Sequence, residues 1–376
     1  MEVNLRRSFF MLRRSIRKGV FGLLATLVVT TTTFVGPIGL SARAQESSTR
    51  VKQPATPTAK PTPPVSTGDN DPEVVRVETD LVNALFTAVD KDRHFLTTLR
   101  AEDVAVFEND IPQPVSLFER ETERPLSLVI LVDTSESQRG VLQNEKSAAQ
   151  AFVDAVVRPD RDQAAIISFT GVPKVEQAIT GDRAKLRAGI LRVRIEISAE
   201  NERRLANGED PLPKDQDPSG YTGIWDAMWM SIQNVLNQTP ENRRRAIVLL
   251  SDGDDTSSSI KRQAVIDAAV KSDVIVYAIG IRDANFPEGE LDANALRKVS
   301  DHTGGRAFLP RSSDDLGAAF KQIEEELRSQ YLIGYSPTNK SRDGSYRRIR
   351  LEFVNPQLRK DKAQLLYRAG YYAKKQ

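Results

Sequence analysis

The chain has 376 residues, enough for two domains, and its composition of 39% hydrophobic and 28% charged residues excludes global disorder. The net charge of +2 is uneven, because the first 44 residues carry seven basic groups and one glutamate, which leaves −4 on the remainder. Basic and acidic residues are interspersed along that remainder, so the chain lacks the basic stripe typical of nucleic-acid-binding proteins.

Residues 1–44 have the three regions of an export signal. A basic segment ends at Lys18, an apolar run covers Val20–Val29, and Ala42-Arg43-Ala44 offers small residues for cleavage. "RRSFF" from Arg6 also resembles a twin-arginine signal, so the general secretory and twin-arginine routes both stay open. An uncleaved anchor is the alternative to cleavage. We expect an exported protein that is periplasmic, on the cell envelope or secreted, with no membrane insertion after cleavage.

Residues 45–72 differ sharply in composition from the rest. The 22 residues from Val51 to Pro72 contain 6 of the 20 prolines and almost nothing to bury. This composition predicts a disordered, semi-extended linker. The chain has no cysteine, so a disulfide framework and a lipoprotein anchor are both excluded.

Residues 122–330 alternate between short apolar runs and longer amphipathic stretches. The runs are "LSLVILVD", "QAAIISF", "RAIVLLSD" and "DVIVYAIGI", each apolar on both faces, as strands covered on both sides by helices are. The pattern predicts an α/β domain with a doubly wound, mostly parallel sheet. Residues 197–220 are polar and proline-containing, which predicts a long surface insertion. "NRRRA" from Asn242 is interpreted as a solvated helix end.

The two flanks of this domain have the period-two pattern of antiparallel strands. In "YRRIRLEFV", Ile349, Leu351 and Phe353 share one face. "DVAVFENDIPQPVSLF" predicts two strands joined at Asn109-Asp110. Because neither flank has enough strands to be stable alone, we predict that residues 73–121 and 331–373 form one discontinuous β-sandwich.

Oxygen-bearing side chains lie in three segments that reach the same edge of the predicted sheet. Asp133, Ser135 and Ser137 come directly after the first strand, Thr222 precedes a helix, and Asp252 ends another strand. Ligands bind at the carboxyl ends of strands in open α/β sheets. Two carboxylates and three hydroxyls, without histidine or cysteine, favour Mg²⁺, with Mn²⁺ or Ca²⁺ as alternatives, over zinc or copper.

The order Asp-x-Ser-x-Ser, then Thr before "WDA", then Asp in "SDG" resembles the metal-ion-dependent adhesion site of von Willebrand factor A domains. "DHTGGRAF" from Asp301 resembles a further stretch of that family, and the flanking β segments resemble the bacterial secreted proteins called VWFA-related. The resemblance implies that Ser135 and Ser137 bind the metal directly. It implies that Thr222 does so in the ligand-bound form, that Asp133 and Asp252 act mostly through water, and that a partner carboxylate fills the sixth position.

Other candidate sites are weaker. Asp254 and Asp255 are alternatives for a second metal, although acidic loop residues usually face water. His302 has no partner histidine, and no Gly-x-Ser-x-Gly elbow, phosphate-binding loop or Rossmann fingerprint is present. Glu136 and Asp226 are the nearest candidates for the general base of a metal enzyme.

These features predict an exported, metal-dependent module for adhesion or interaction with another protein, and not an enzyme. Its ligand would be a protein that presents an acidic side chain to the bound ion. A hydrolase or phosphotransferase that uses the same metal is the alternative. We predict no nucleic-acid partner.

Overall fold

The structure is a computed structural model that describes residues 81–121, 124–210, 212–213, 216–217, 220–281 and 291–375. The predicted export signal and linker lie outside the described residues. Within those ranges, no helix combines the length and the hydropathy that a membrane crossing requires.

Strands alternate with helices through the middle of the chain, as predicted. In chain order the strands are β1 Val82–Val89, β2 Val104–Glu108, β3 Ile111–Gln113, β4 Val115–Arg120, β5 Leu126–Asp133, β6 Gln163–Phe169, β7 Pro173–Thr180, β8 Arg244–Ser251, β9 Val274–Gly280, β10 Ala307–Phe308, β11 Tyr331–Tyr335, β12 Tyr346–Phe353, β13 Gln364–Tyr367 and β14 Gly370–Tyr372. The helices are α1 Leu142–Val156, α2 Arg183–Arg192, α3 Ala199–Ala206, α4 Ile224–Met230, α5 Arg262–Lys271, α6 Ala293–Thr303, α7 Ser313–Arg328 and α8 Pro356–Lys360.

One six-stranded sheet forms the centre of the α/β domain, in the order β10-β9-β8-β5-β6-β7. Neighbouring strands are parallel except β6 and β7, which pair antiparallel at the edge. All eight residues of β5 are buried. Even-numbered β5 residues such as Leu128 pack with α1, α2 and α7, whereas odd-numbered residues such as Val129 pack with α4, α5 and α6. Helices therefore cover both faces of the sheet, which explains why the strands have no polar face.

Two four-stranded sheets are built from the flanks, with the orders β13-β1-β11-β4 and β14-β12-β2-β3. Their inner faces share one apolar cluster, in which Phe86 stacks on Tyr331 with a centroid distance of 5.3 Å. Each sheet combines strands from both flanks, so neither flank can form its sheet without the other. The predicted fold class, an α/β domain with additional sheets from both flanks, is confirmed.

Three details differ from the sequence-based expectations. Residues 103–118 contribute three strands instead of two: Asn109 and Asp110 have positive φ and turn β2 into β3, and β4 then joins the other sheet. The surface insertion of residues 197–220 contains helix α3, capped by Ser198. The edge strand β7 was not predicted, since its alternation of polar residues carries little hydrophobic signal.

The interpretation of "NRRRA" as a solvated helix end is wrong. Arg244 begins strand β8, is 6% exposed, and donates to the Leu327 carbonyl at the end of α7 and to the Gln330 side chain. Burial lowers the pKa of Arg244 to about 10. The long apolar stem of arginine and its five donors explain how a basic run can be part of a buried strand.

Candidate metal centre

The predicted ligand residues lie at the carboxyl edge of the central sheet because β5 and β8 are parallel neighbours. Asp133 is the last residue of β5, and Asp252 follows β8 directly. Ser135 and Ser137 lie in the turn between β5 and α1. Gly253, after Asp252, has a φ of 84°, a conformation that favours glycine and turns the chain away from the edge.

Three hydrogen bonds join four of the five predicted residues in one chain. Ser135 Oγ lies 3.0 Å from Ser137 Oγ, and Ser137 Oγ donates to Asp252 Oδ2 at 2.7 Å. The backbone N–H of Ser135 donates to Asp133 Oδ1 at 2.9 Å. Each of these side chains is at most 6% exposed, so the group is held in a fixed arrangement away from bulk water.

Thr222 is held against the same edge through its backbone. Its carbonyl oxygen accepts from the backbone N–H groups of Thr256 and Ser257, and its own N–H donates to Thr256 Oγ1 at 2.8 Å. The loop that follows Asp252 therefore positions Thr222, which is 5% exposed. The described contacts do not include a hydrogen bond between the Thr222 side chain and the other four residues.

Sequence reasoning missed two residues that hydrogen-bond to the predicted ligands, and one buried acid that follows them in the chain. Ser251 Oγ donates to Asp133 Oδ2 at 2.7 Å, and Gln138 Nε2 donates to Asp252 Oδ2 at 3.0 Å. Glu145, in the first turn of α1, is 1% exposed. Ser251 could have been found as the residue before Asp252 in "LLSDG". Gln138 and Glu145 follow the Asp-x-Ser-x-Ser segment closely, yet nothing in their spacing indicates that they point inward.

Burial and mutual repulsion dominate the electrostatics of the centre. Burial raises the pKa of Asp133 to about 7, with a further contribution from the Asp252 carboxylate. Burial also raises the pKa of Asp252. The pKa of Glu145 lies well above its usual range because of burial and, next, because of the charges of Asp133 and Asp252. Three buried carboxyl groups that disfavour one another need a positive charge to be ionised together.

The donor set fits a hard divalent cation. Among the described residues, three buried oxygen atoms of the centre have no hydrogen-bond donor: Oε1 of Gln138 and both carboxyl oxygens of Glu145. Buried acceptors are normally satisfied by protein or ordered water. A hydrated cation supplies both positive charge and donor water molecules, and hydroxyl and carboxylate oxygens are the ligands that Mg²⁺ prefers. The residues present therefore match the predicted metal.

Three of the groups considered for a second metal or for acid–base chemistry have other contacts. Asp255 Oδ1 accepts from the Ile224 N–H and the Ser258 hydroxyl, and so caps helix α4. The Asp226 carboxylate accepts from the N–H groups of Ser259 and Ile260. The half-exposed carboxylate of Glu136 pairs with the Arg139 guanidinium at 2.6 Å. Neither candidate base is directed toward the group around Ser137.

A second acidic group lies far from this edge, in the exposed turn after β1. Among the described residues, Asp90, Asp92 and His94 are a set of carboxyl and imidazole groups close enough to share a metal ion. The turn itself explains their proximity, since Asp90 Oδ1 accepts from the N–H groups of Asp92 and His94 at 2.8 and 2.9 Å. It is therefore a weaker candidate than the buried centre.

A cavity of about 240 Å³ lies between helix α5 and the flank sheets, where Arg347, Arg368 and Lys271 line it, and none of the predicted metal ligands is among its lining residues. These cations already have partners: Glu108 for Arg347, Asp273 for Arg368 and the Tyr372 ring for Lys271. We therefore assign the chemistry to the sheet edge and not to this cavity.

One family model and several solved structures are similar to this chain. The family model of the von Willebrand factor type A domain matches residues 127–322. No curated protein matches the chain. A structure of proximal thread matrix protein 1 from the mussel byssus is 16% identical over 59% of this chain and 51% of that chain, with a TM-score of 0.45. The present chain thus spans about half the length of the mussel protein.

Two further solved structures are similar at the same level. The mussel protein with a zinc-occupied MIDAS motif is 15% identical over 59% of this chain and 50% of that chain, with a TM-score of 0.44. A von Willebrand factor type A structure from Catenulispora acidiphila is 14% identical over 73% of this chain and 74% of that chain, with a TM-score of 0.43.

Proposed function

Since the chain belongs to the von Willebrand factor type A domain family, we propose that it is an exported, metal-dependent protein-binding module of the bacterial secreted type. Ser135 and Ser137 would hold Mg²⁺ directly, with Thr222 joining them when a partner is bound. Asp133 and Asp252 would act through water. The observation that carries the proposal is the buried, hydrogen-bonded group of Ser135, Ser137 and Asp252 at the edge of the sheet.

The charge distribution supports a partner that presents a carboxylate. The three proposed direct ligands are neutral hydroxyls, so they leave most of the charge of a bound divalent ion unbalanced. An acidic side chain from outside is the oxygen ligand that best balances that charge. Mn²⁺ or Ca²⁺ are alternatives to Mg²⁺, because both accept the same oxygen ligands.

Surface features beside the centre favour a protein as the partner. Tyr221, next to Thr222, is 39% exposed. Tyrosine is enriched in protein interfaces, where its ring supplies contact area and its hydroxyl supplies a hydrogen bond. The export signal in residues 1–44 would bring this surface to the periplasm, the cell envelope or the medium, where the partner is to be sought.

The proposal is tested by capture from matched envelope extracts with Mg²⁺ or with chelator, using the parent and the Asp133→Asn variant. Asparagine keeps an oxygen acceptor for the Ser135 N–H but removes the charge. Asp160→Asn is the matched control, because Asp160 is exposed and lies before the opposite, amino end of β6. We expect the parent and the control to capture the same protein in Mg²⁺ alone, and Asp133→Asn to lose it.

Capture that survives both chelator and Asp133→Asn would contradict the proposal and would direct the search to residues 197–220 or to the flank sheets. A captured protein should also lose binding when one of its own acidic residues is replaced by its amide. Clear, Asp133-dependent turnover of simple esters or phosphate esters in Mg²⁺ would instead favour an enzyme.

A further inference from the structure

Glu145 is a buried carboxyl group that the five predicted ligands leave without a role. It is 1% exposed, and neither carboxyl oxygen has a hydrogen-bond partner among the described residues. The adjacent Lys146 does not neutralise it, since the Lys146 ammonium donates to the carbonyl oxygens of Leu191 and Val193. A buried carboxylate without donors or a counter-charge is strongly unfavourable, so such a group is expected to serve a function or to be neutral.

The chain path connects Glu145 to the loop that carries the serines. The N–H of Val141 donates to the Gln138 carbonyl oxygen, and the N–H of Glu145 donates to the Val141 carbonyl oxygen, both at 3.1 Å. Glu145 is therefore one helical turn beyond the end of that loop. Burial, and after it the negative charges of Asp133 and Asp252 in the proposed centre, raise the pKa of Glu145.

Gln138 gives a second, independent observation at the same place. Its amide nitrogen donates to Asp252, while its amide oxygen is buried without a donor. Both residues with undonated oxygens thus belong to one segment of the chain, with Gln138 at the end of the serine loop and Glu145 in the first turn of the helix that follows. A divalent ion with its water would supply both the donors and the positive charge that these oxygens lack.

We propose that Glu145 is a further acidic residue of the metal centre, which increases the affinity for the divalent cation from the first turn of α1, next to the loop of Ser135 and Ser137 in the chain. It is a positioning and charge-balancing residue and not one of the five ligands. This inference rests on the proposed function, because it assumes that the centre binds a divalent ion. In the ion-free protein the same carboxyl group destabilises the fold at neutral pH, because burial without donors or a counter-charge disfavours the ionised form that the unfolded chain adopts freely.

The test is Glu145→Gln in the full chain, measured by calorimetric titration with MgCl₂ and by thermal melting in chelator and in Mg²⁺. Outer residues of metal sites typically change metal affinity by about 10–100-fold, so we expect Mg²⁺ to bind at least about tenfold more weakly. We also expect a higher melting temperature than the parent in chelator and a smaller rise on adding Mg²⁺. Glu136→Gln is the matched control, because it removes a half-exposed carboxylate paired with Arg139 from the same segment. It should change the affinity by less than about twofold.

Opposite results overturn the inference. A Glu145→Gln variant that binds Mg²⁺ as the parent does, melts lower than the parent in chelator or fails to fold would make Glu145 a neutral structural acid. If the parent shows no Mg²⁺ binding, the inference and the proposed function both fail. If the parent binds Mg²⁺ but captures no acidic partner, only the proposed function fails, and the affinity of Glu145→Gln still decides the role of Glu145.

Discussion

The buried carboxyl groups predict that the metal-free protein loses stability as the pH rises from 5 to 8. Burial and the Asp252 charge hold the pKa of Asp133 at about 7, whereas an aspartate in the unfolded chain titrates near 4. Between these values the folded state keeps a proton that the unfolded state has released. The free energy of unfolding therefore falls as the pH rises through this window, and it levels off above about pH 7.

The size of the effect follows from the difference between the two pKa values. One unit corresponds to about 1.4 kcal/mol, so a difference of about three units gives a loss on the order of 4 kcal/mol from Asp133 when the whole window is crossed. The raised pKa of Asp252 acts in the same direction. Asp162, whose pKa is lowered mainly by its hydrogen bond from Arg158, acts in the opposite direction but below pH 4. The range from pH 5 to pH 8 excludes its contribution.

Urea unfolding of chelator-treated protein at pH 5, 6, 7 and 8 measures the prediction. Burial also raises the pKa of Glu121 and of Glu326, which lie outside the centre, so Asp133→Asn must be measured in parallel. The parent should lose more stability than the variant by an amount on the order of 2–4 kcal/mol, since part of the window lies below pH 5. Mg²⁺ at about 100 times its dissociation constant should return about 2.7 kcal/mol to the parent at pH 8 and little to the variant.

Equal pH dependence of the parent and the variant would refute this reasoning, as would a metal-free parent that becomes more stable from pH 5 to pH 8. Either result would mean that Asp133 is ionised in the metal-free fold. The Asp133 carboxylate would then be stabilised by something more than its hydrogen bonds from Ser135 and Ser251, such as a positive charge nearby.

Two predictions concern the flank sheets. Deleting residues 331–376 removes two strands from each flank sheet, including the central strands β11 and β12. We therefore expect an aggregation-prone 1–330 product, while residues 122–330 alone melt cooperatively. A cooperatively melting 1–330 product would contradict this. Glu108→Gln should lower the free energy of unfolding in urea by about 3–5 kcal/mol. Arg347 is 2% exposed and contacts the Glu108 carboxylate at 3.3 Å, so the variant would leave its charge buried without a partner carboxylate. The exposed Glu119→Gln is the control, and equal stability of the two variants would show that the ion pair contributes little.

Much of the α/β domain could be predicted because its strands have no polar face. A run such as "LSLVILVD" is compatible with a strand covered on both sides, and a covered parallel sheet has one carboxyl edge. Asp133 and Asp252 were therefore predicted to be neighbours although 118 residues separate them. The hydrogen bonds of the Ser137 hydroxyl to Asp252 and of the Ser251 hydroxyl to Asp133 are consistent with that edge.

The remainder could not be predicted because it depends on packing between distant segments. Arg244 looks like part of a solvated run until the end of α7 is known to supply acceptors for its guanidinium. The path from β3 to β4 looks like one strand until Pro114 is known to separate strands of different sheets. In each case the local pattern is compatible with two structures, and a contact far away in sequence decides between them.

Glu145 shows why the charge of such a centre is the part that sequence patterns describe least well. The recognisable ligands are spaced by loop and strand geometry, whereas a buried acid on a following helix needs no fixed spacing to act through its charge. In the proposed centre the two roles are separate. Neutral hydroxyls in contact with the ion would leave its charge available to an outside carboxylate. Glu145, buried in the first turn of α1, would hold the ion without competing for that position. Buried charges interact strongly over longer distances than hydrogen bonds do, because the interior screens them poorly.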